Sequence, residues 1–426
     1  MAAAAQRGGS LVDSRLPIEG RQPVTKPLKL LSGLIAVFAT VIATVISASL
    51  GNAERAATGP RGTGDLGIII ERATGSVLVF DSSERRMLYR VEGLGDLSHA
   101  SAVFSRDERF AYVFGRDGGL TKVDLLAGSI ARRVMQAGNS IGGAISDDGT
   151  LIAASNYEPG GVRVFDAATL DLVADIPAIW SGGSSKTIGL VDAPGRRFVF
   201  SLWDAGETWI ADFAGGSKPV VTKLAGIGRN PYDALITGNG RHYIAGLYGE
   251  DGLTVIDLWQ SPLAPRRILS EYGRGEAKLP VYKMPHLEGW ALAGDRFALP
   301  AVGRHEVLWV DARTFDEVGR TKVHGQPVFA VARPDGRHVW VNFAHPDNDT
   351  IQVIDTHSRA IVAEWKPGPA VLHIEFTPRG HEAWVSVRDG NAVEIYDART
   401  FEKKGRIEAQ SPSGIFLAAR AHRTGL

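Results

Sequence analysis

Beyond residue 65 the chain is a succession of short apolar runs separated by turns rich in Gly, Asp and Arg. One such run is Phe110–Phe114, in which Phe110, Tyr112 and Phe114 alternate with Ala111 and Val113 before the turn GRDGG. Short runs of aromatic and β-branched residues bounded by turn formers are strands. A strand ending in Asp recurs as VLVFD, LTKVD, VRVFD, TWIAD, LTVID, VLWVD, IQVID and VEIYD, closing at Asp81, Asp124, Asp166, Asp212, Asp257, Asp311, Asp355 and Asp397. Successive Asp residues stand 43, 42, 46, 45, 54, 44 and 42 positions apart. Upstream of most copies lies a second signature, as in SRDERFAYV, SDDGTLIAA, TGNGRHYIA, RPDGRHVWV and TPRGHEAWV. A period of roughly 40–50 residues with several short strands per unit predicts a β-propeller.

Each unit reads as four strands. In one copy an inner strand, PVFAVAR, turns into HVWVNFA, a loop leads to TIQVID, and AIVAEW follows as the outer strand. The Asp opens the last turn by bonding its side chain to the backbone ahead. The recurring Asp residues are therefore turn formers and not a metal array. The N-terminal copy, LGIIIERATGSVLVFDSSERRMLYRV, lacks an inner strand, and the chain end, SPSGIFLAARAH, is an inner strand without followers. Together they complete one blade, close the ring and leave no open sheet edge at the seam. The expected fold is all-β: one eight-bladed β-propeller of four-stranded blades over residues 65–426.

The N-terminal part breaks this pattern. Residues 1–29 are basic, with Arg7, Arg15, Arg21, Lys26 and Lys29 against Asp13 and Glu19. In the hydrophobic segment 30–53, Leu30 to Leu50 is free of charge for 21 residues, and about 20 apolar residues span a bilayer. The basic flank predicts a cytoplasmic N-terminus and export of the rest. Cleavage near Gly51-Asn52-Ala53 and retention as an anchor helix are both open. Residues 54–64 read as a linker.

Composition narrows the chemistry. Lys+Arg and Asp+Glu balance at 47 each, so nothing marks a general polyanion binder. With no Cys, disulfides, thiolate metal sites and Cys nucleophiles are excluded. There is no phosphate loop, no Gly-x-Ser-x-Gly and no dinucleotide fingerprint between a strand and a helix. HPDNDT, residues 345–350, lacks the spacing and terminal Glu of a calcium loop and reads as a hairpin turn.

Propeller geometry selects the face where chemistry belongs. Inner strands begin near the axis on one face, the loops between second and third strands return to it, and the Asp turns lie on the other. Inner-strand starts offer His99, Ser140, Lys186, Tyr232 with Asp233, His286 with Glu288, Gln326 and His373. The returning loops offer Arg72, Arg116 with Asp117, Tyr157, Trp203 with Asp204, Tyr248, Arg304 with His305, His345 and Arg388. His99 and His286 occupy equivalent places in their blades. The long separation of 54 marks an insertion, EYGRGEAKLPVYKMPH, residues 271–286, on the same face; with Arg274, Lys278, Tyr282, Lys283 and His286 it is expected to cover a ligand over the axis.

The stretch LSHASAVFSRDERFAYVFGRDGGLTKVDL, residues 97–125, resembles the d1-haem propeller of cytochrome cd1 nitrite reductase. The match is carried by His99, Ser105, Arg109, Tyr112, Gly115, Arg116, Asp117, Gly118, Asp124 and Leu125. No Cys-x-x-Cys-His motif is present, so the c-haem domain of the reductase is missing. The chain on its own resembles the NirF family of d1-haem biosynthesis proteins, with NPYDALI and LPVYKMPHLEGW as further points of likeness. The resemblance implies a periplasmic propeller, released or held by residues 30–50. It implies that the ligand is d1-haem or a dihydro-d1-haem type precursor, with His99 as axial ligand of the iron. Arg72, Arg116, Lys186, Arg229 and Arg388 are then candidates for the tetrapyrrole carboxylates. His286 and His373 are candidate catalytic residues on the distal side. The implied partners are cd1 nitrite reductase and related d1-haem propellers.

Two functions fit these residues. One is an enzyme acting late on a d1-haem precursor, an oxidation such as side-chain dehydrogenation. The other is a carrier that holds the precursor or cofactor and hands it on. A lactonase-type hydrolase would need acidic metal ligands about the axis, and Asp233 and Glu288 are too few.

Overall fold

The computed structural model describes residues 62–271, 289–301 and 303–424. The expected signal or anchor segment, most of the insertion, His286 and Glu288 lie outside the described residues. Among those described, no helix is long and apolar enough to cross a membrane.

Among the described residues the strands form eight antiparallel four-stranded sheets, as the repeat predicts, and one small hairpin, Ile179–Trp180 against Gly183–Ser184. In chain order the blades are Leu66–Val91 (blade 1), Ser101–Met135 (2), Asn139–Ile176 (3), Thr187–Leu224 (4), Pro231–Ile268 (5), Ala291–Lys322 (6), Pro327–Trp365 (7) and Val371–Glu408 (8). Blade 1 takes its inner strand from the chain end: Pro412–Leu417 runs antiparallel to Leu66–Glu71, with Gly67 opposite Leu417 and Ile69 opposite Ile415. A buried carboxylate latches this seam. Glu71 accepts from Ser76 Oγ at 2.7 Å, from Arg90 at 2.9 and 3.0 Å and from the Gln410 backbone N–H at 2.7 Å. A buried carboxylate is tolerable because its oxygens are fully engaged.

Blades pack through apolar side chains on both sheet faces. Phe80 of blade 1 stacks on Trp384 of blade 8 with centroids 4.5 Å apart, and Trp340 of blade 7 meets Phe376 of blade 8 edge-on at 5.6 Å. Such pairs add specificity to the burial itself.

The Asp residues do what the repeat predicts. Asp124, Asp166, Asp311, Asp355 and Asp397 each use Oδ1 to accept backbone N–H bonds from residues two and three ahead, at 2.8–3.1 Å. Asp81 accepts from Glu84, Asp212 from Ala214 and Asp257 from Trp259. These turns occupy one face of the ring and leave the other to the inner-strand starts.

Candidate functional site

The site begins with an irregularity that repeats. In blades 1, 3, 4, 5, 7 and 8 the pairing register of the inner strand shifts near its start. In blade 5, for example, Pro231 faces Leu247 while Ala234 faces Ala245, leaving one residue in excess. A bulge bends the strand and re-aims its side chains. The bulged residues Ile141, Leu190, Tyr232, Asp233, Phe329, Leu372 and His373 all line a cavity of ≈ 230 Å³ on the axis.

Bulging strands leave backbone groups without ladder partners, and polar residues in the second strands take them up. Asn342 accepts from Phe329 N–H at 2.9 Å and donates to the carbonyls of Val371 and Leu372 at 3.2 and 3.1 Å. Ser386 accepts from His373 N–H at 2.8 Å and donates to Ser413 O at 3.2 Å. Tyr243 donates its hydroxyl to Gly189 O at 2.9 Å. Gly189 has φ +62°, and a Cβ there would stand 3.0 Å from that of Ala234, so a side chain is doubly disfavoured.

His99 sits in the turn just before the inner strand of blade 2, exposed and on the cavity wall. Leu97 anchors this turn in the core, Asp96 Oδ1 accepts from Ser98 N–H at 2.8 Å, and Asp96 N–H donates to Asp117 Oδ2 at 3.3 Å. Asp117 also accepts from Gly119 N–H at 2.9 Å and pairs with Arg133 at 2.8 Å. Its role is to fix the His99 loop against the GRDGG turn. The hydrogen bonds from Ser98, then the charges of Arg116 and Arg72, hold the Asp96 carboxyl below its ordinary range.

Arg72 flanks the same mouth and lines the cavity. Burial, and then the neighbouring Arg388 charge, lower its pKa. Arg116 leans over the Tyr157 ring at 5.4 Å. Among the described residues neither guanidinium has an ion-pair partner. The other predicted cations differ. Arg388 is held by its neighbour Asp389 at 2.6 Å, and Arg229, with a side chain 72% exposed, pairs with Glu250 at 3.6 Å. Lys186 is exposed at the start of blade 4, and its backbone N–H bonds Asp204 at 3.0 Å.

His373 lies deeper, in the bulge of blade 8, against Phe329 and Phe416. Burial pushes its pKa down to about 4, with the Glu375 charge opposing that shift and Arg420 adding to it. Its Nδ1 accepts from Ile415 N–H at 3.0 Å. A ring nitrogen that accepts from a backbone amide carries no proton, so the neutral ring holds its proton on Nε2 and offers a donor.

The C-terminal turn Ala418–His422 follows the inner strand of blade 1 and brings Arg420 to the cavity wall. Arg420 reaches Glu375 with two hydrogen bonds of 3.0 and 2.9 Å, Arg106 donates to Ala421 O, and His422 meets Glu108 at 2.7 Å. Burial alone would raise the Glu375 pKa; the Arg420 charge and hydrogen bond overcome this and lower it.

Comparison with known proteins gives this geometry its family. The model for the cytochrome d1 haem domain matches residues 61–421. The chain belongs to that family. Protein NirF of Stutzerimonas stutzeri is 60% identical over 369 residues, 86% of this chain and 94% of that protein. Protein NirF of Pseudomonas aeruginosa is 58% identical over the same shares. A solved structure of dihydro-haem d1 dehydrogenase NirN in complex with DHE is similar at a TM-score of 0.76 and 26% identity, covering 86% of this chain and 78% of that one.

In this d1 haem-domain propeller, sequence reasoning missed Phe329, Phe416, Leu372, Arg420 and Glu375 as parts of the channel. A signal for the bulges was present: Ser155, Ser201, Asn342 and Ser386 interrupt otherwise apolar second strands and are buried at 0–1% exposure. A buried polar residue at the same place in successive repeats marks backbone groups that need partners. Among the described residues no three His, Asp or Glu stand together as a metal-binding group.

Proposed function

We propose that this propeller binds an iron tetrapyrrole of the d1 type across the mouth of its channel, in the formation of d1-haem. The observation that carries this is at the mouth: an exposed imidazole, His99, on the cavity wall with Arg72, and Arg116 near Asp96 of the same loop, neither guanidinium having an ion-pair partner among the described residues. An imidazole suits the iron, and a planar guanidinium suits a carboxylate. The residues present therefore fit the group. Pockets that enclose drug-sized ligands run to about 300–1,000 Å³, above the ≈ 230 Å³ of this cavity. The macrocycle therefore lies over the mouth and not inside the channel. When bound, the iron macrocycle supplies the redox chemistry.

The chain's own residues hold and orient. His99 presents a nitrogen, Arg72 and Arg116 neutralise carboxylates, and His373 offers its Nε2 proton to whatever reaches into the channel. Arg388 and Arg229, already paired with carboxylates, and Lys186 are secondary contacts, and His286 is the second catalytic candidate. On the enzyme reading the reaction is a late oxidation of a precursor, with two hydrogens removed from a side chain and their electrons passed to an outside two-electron acceptor. The carrier reading is favoured by one observation: the Ile415 N–H occupies His373 Nδ1, which leaves the neutral ring a donor at Nε2 and suits holding a ligand better than removing its proton. The basic flank and the uncharged run Leu30–Leu50 support a periplasmic site of action for either role, with cd1 nitrite reductase and related propellers as the proposed partners.

Anaerobic mixing of the purified protein with d1-haem and with its dihydro precursor tests this. A shifted absorption spectrum with an altered macrocycle supports the enzyme, and a shifted spectrum with unchanged macrocycle supports the carrier. Unshifted spectra with both ligands overturn the proposal.

A further inference from the structure

The enzyme reading needs a group that takes a proton from the substrate, and His373, with Nδ1 held by the Ile415 N–H, is a donor. The titratable residues that line the cavity, among those described, are Arg72, His99, Tyr232, Asp233, His373 and Arg420. Both arginines are cations without an acceptor atom. His99 gives its lone pair to the iron in the tetrapyrrole reading. Burial, and then the neighbouring Tyr157 and Asp233, raise the Tyr232 pKa, so that hydroxyl keeps its proton. Asp233 remains: it is the one carboxylate lining the cavity among the described residues.

Asp233 stands in the bulge of blade 5, where Pro231 faces Leu247 and Ala234 faces Ala245. Bulges beside active sites re-aim side chains, and this one brings a half-buried carboxylate to the cavity wall. Its Oδ1 accepts from the Ala234 N–H at 2.9 Å, which fixes the carboxylate against its own strand. The wall beside it is apolar, with Ile188, Leu190 and Val191 of blade 4. Burial raises the pKa of Tyr157, Tyr232 and Tyr243, and the Asp233 charge adds to the rise in all three, so the carboxylate lies near these hydroxyls. Blades 5 and 8 are not neighbours in the ring. Asp233 and His373 therefore meet the cavity from different sides, an acceptor on one and a donor on the other.

We propose that Asp233 is the catalytic base of this propeller, taking a proton from a substrate side chain that reaches into the channel. This inference rests on the enzyme reading above and deepens it. In the oxidation two C–H bonds on neighbouring carbons break and one C=C bond forms, so two protons and two electrons leave. An oxygen of Asp233 takes one proton and returns it to water through the mouth, and the other proton passes to water directly. Both electrons pass to an outside quinone-type acceptor, which becomes a quinol with two protons from water. His373 keeps its Nε2 proton throughout and holds the side chain in place.

The test follows the whole protein with the dihydro precursor and a soluble quinone under anaerobic conditions, with binding read by absorption and the macrocycle by its mass. Asp233→Asn keeps an oxygen for the Ala234 N–H and is expected to bind the precursor with the parent's affinity and spectrum. Its rate of oxidation is expected to fall about a hundredfold or more, the usual share of a general base. In Asp233→Ala, added formate is expected to restore part of the rate, which it does not do for a residue that only shapes the wall. An Asp233→Asn variant that oxidises the precursor as the parent does overturns the base. So does a variant that loses affinity in proportion to rate, which makes Asp233 a binding residue. A parent that binds the precursor and leaves it unchanged overturns the base and leaves the tetrapyrrole site standing as a carrier. A parent that does not bind it overturns the site and the base with it.

Discussion

Both ends of the axial channel carry arginines, and the fold treats them differently. At the floor, Arg420 is 13% exposed and Glu375 4%, and two hydrogen bonds join them. At the mouth, Arg72 lines the cavity and Arg116 leans over Tyr157; Asp96 acts on both through space, but among the described residues neither guanidinium makes an ion pair. The floor pair is a finished structural element: each charge is taken out of water because the other is there. The mouth arginines keep access to water and an unspent charge. A charge already neutralised inside the fold supports the fold; one left open at a concave mouth is available to a ligand.

The sharpest way to break this contrast is at the floor. Glu375→Ala removes the carboxylate that answers the buried Arg420 charge, and removing one partner of a buried pair costs about 3–5 kcal/mol. Urea unfolding should show that loss, and replacing both residues with apolar ones, Glu375→Leu with Arg420→Met, should recover most of it. A floor variant as stable as the parent would mean the pair is as dispensable as a surface one.

At the mouth the expectation reverses. Arg72→Ala and Arg116→Ala should each weaken binding of a d1-type haem by about 1.5–3 kcal/mol, roughly tenfold or more, as for loss of a charge-assisted hydrogen bond. Their unfolding midpoints should stay near the parent's. His99→Ala in the same titration should change the spectrum of the bound iron, which the arginine variants leave intact. Equal destabilisation by floor and mouth variants would erase the distinction.

His373 stands between the two ends and titrates accordingly. Its pKa in the fold is about 4 against an ordinary 6.5. Between those values the unfolded chain binds a proton that the native ring refuses. That contribution to stability is complete above about pH 6.5 and is lost as pH falls toward about 4. His373→Gln should therefore show a shallower loss of stability over that window. A native His373 ring that titrates near its ordinary value would show an open, hydrated channel wall.

The smallest effect belongs to the opposite face. Asp355→Ala removes acceptors for the N–H groups of His357 and Ser358, at a cost of about 1 kcal/mol. Binding of a d1-type haem should be unchanged, because the Asp turns lie away from the mouth.

Much of this molecule is legible along the chain because the chemistry that builds it is local. An Asp that bonds amides two and three residues ahead needs no distant partner, so the spacing of Asp81 to Asp397 alone counts the blades. Ring closure follows from an orphan inner strand at one end and a blade lacking one at the other, confirmed by Ile69 opposite Ile415. That His99 and Arg72 line the axial cavity follows from blade geometry in the same way. Tertiary structure alone decided which charges remain available. Arg229 meets Glu250, Arg420 meets Glu375, and the His373 ring accepts a hydrogen bond from the Ile415 N–H, each across 21 to 45 residues of chain. Such pairings depend on which side chains two adjoining blades bring within about 3 Å. The inner-strand bulges are of the same kind: one extra residue turns His373 and Tyr232 into the channel, and the Asn342 and Ser386 groups that stabilise it come from the second strands beside it. Local spacing sets where a blade begins and ends, whereas the partner of a buried polar group is settled only when the ring has closed around it.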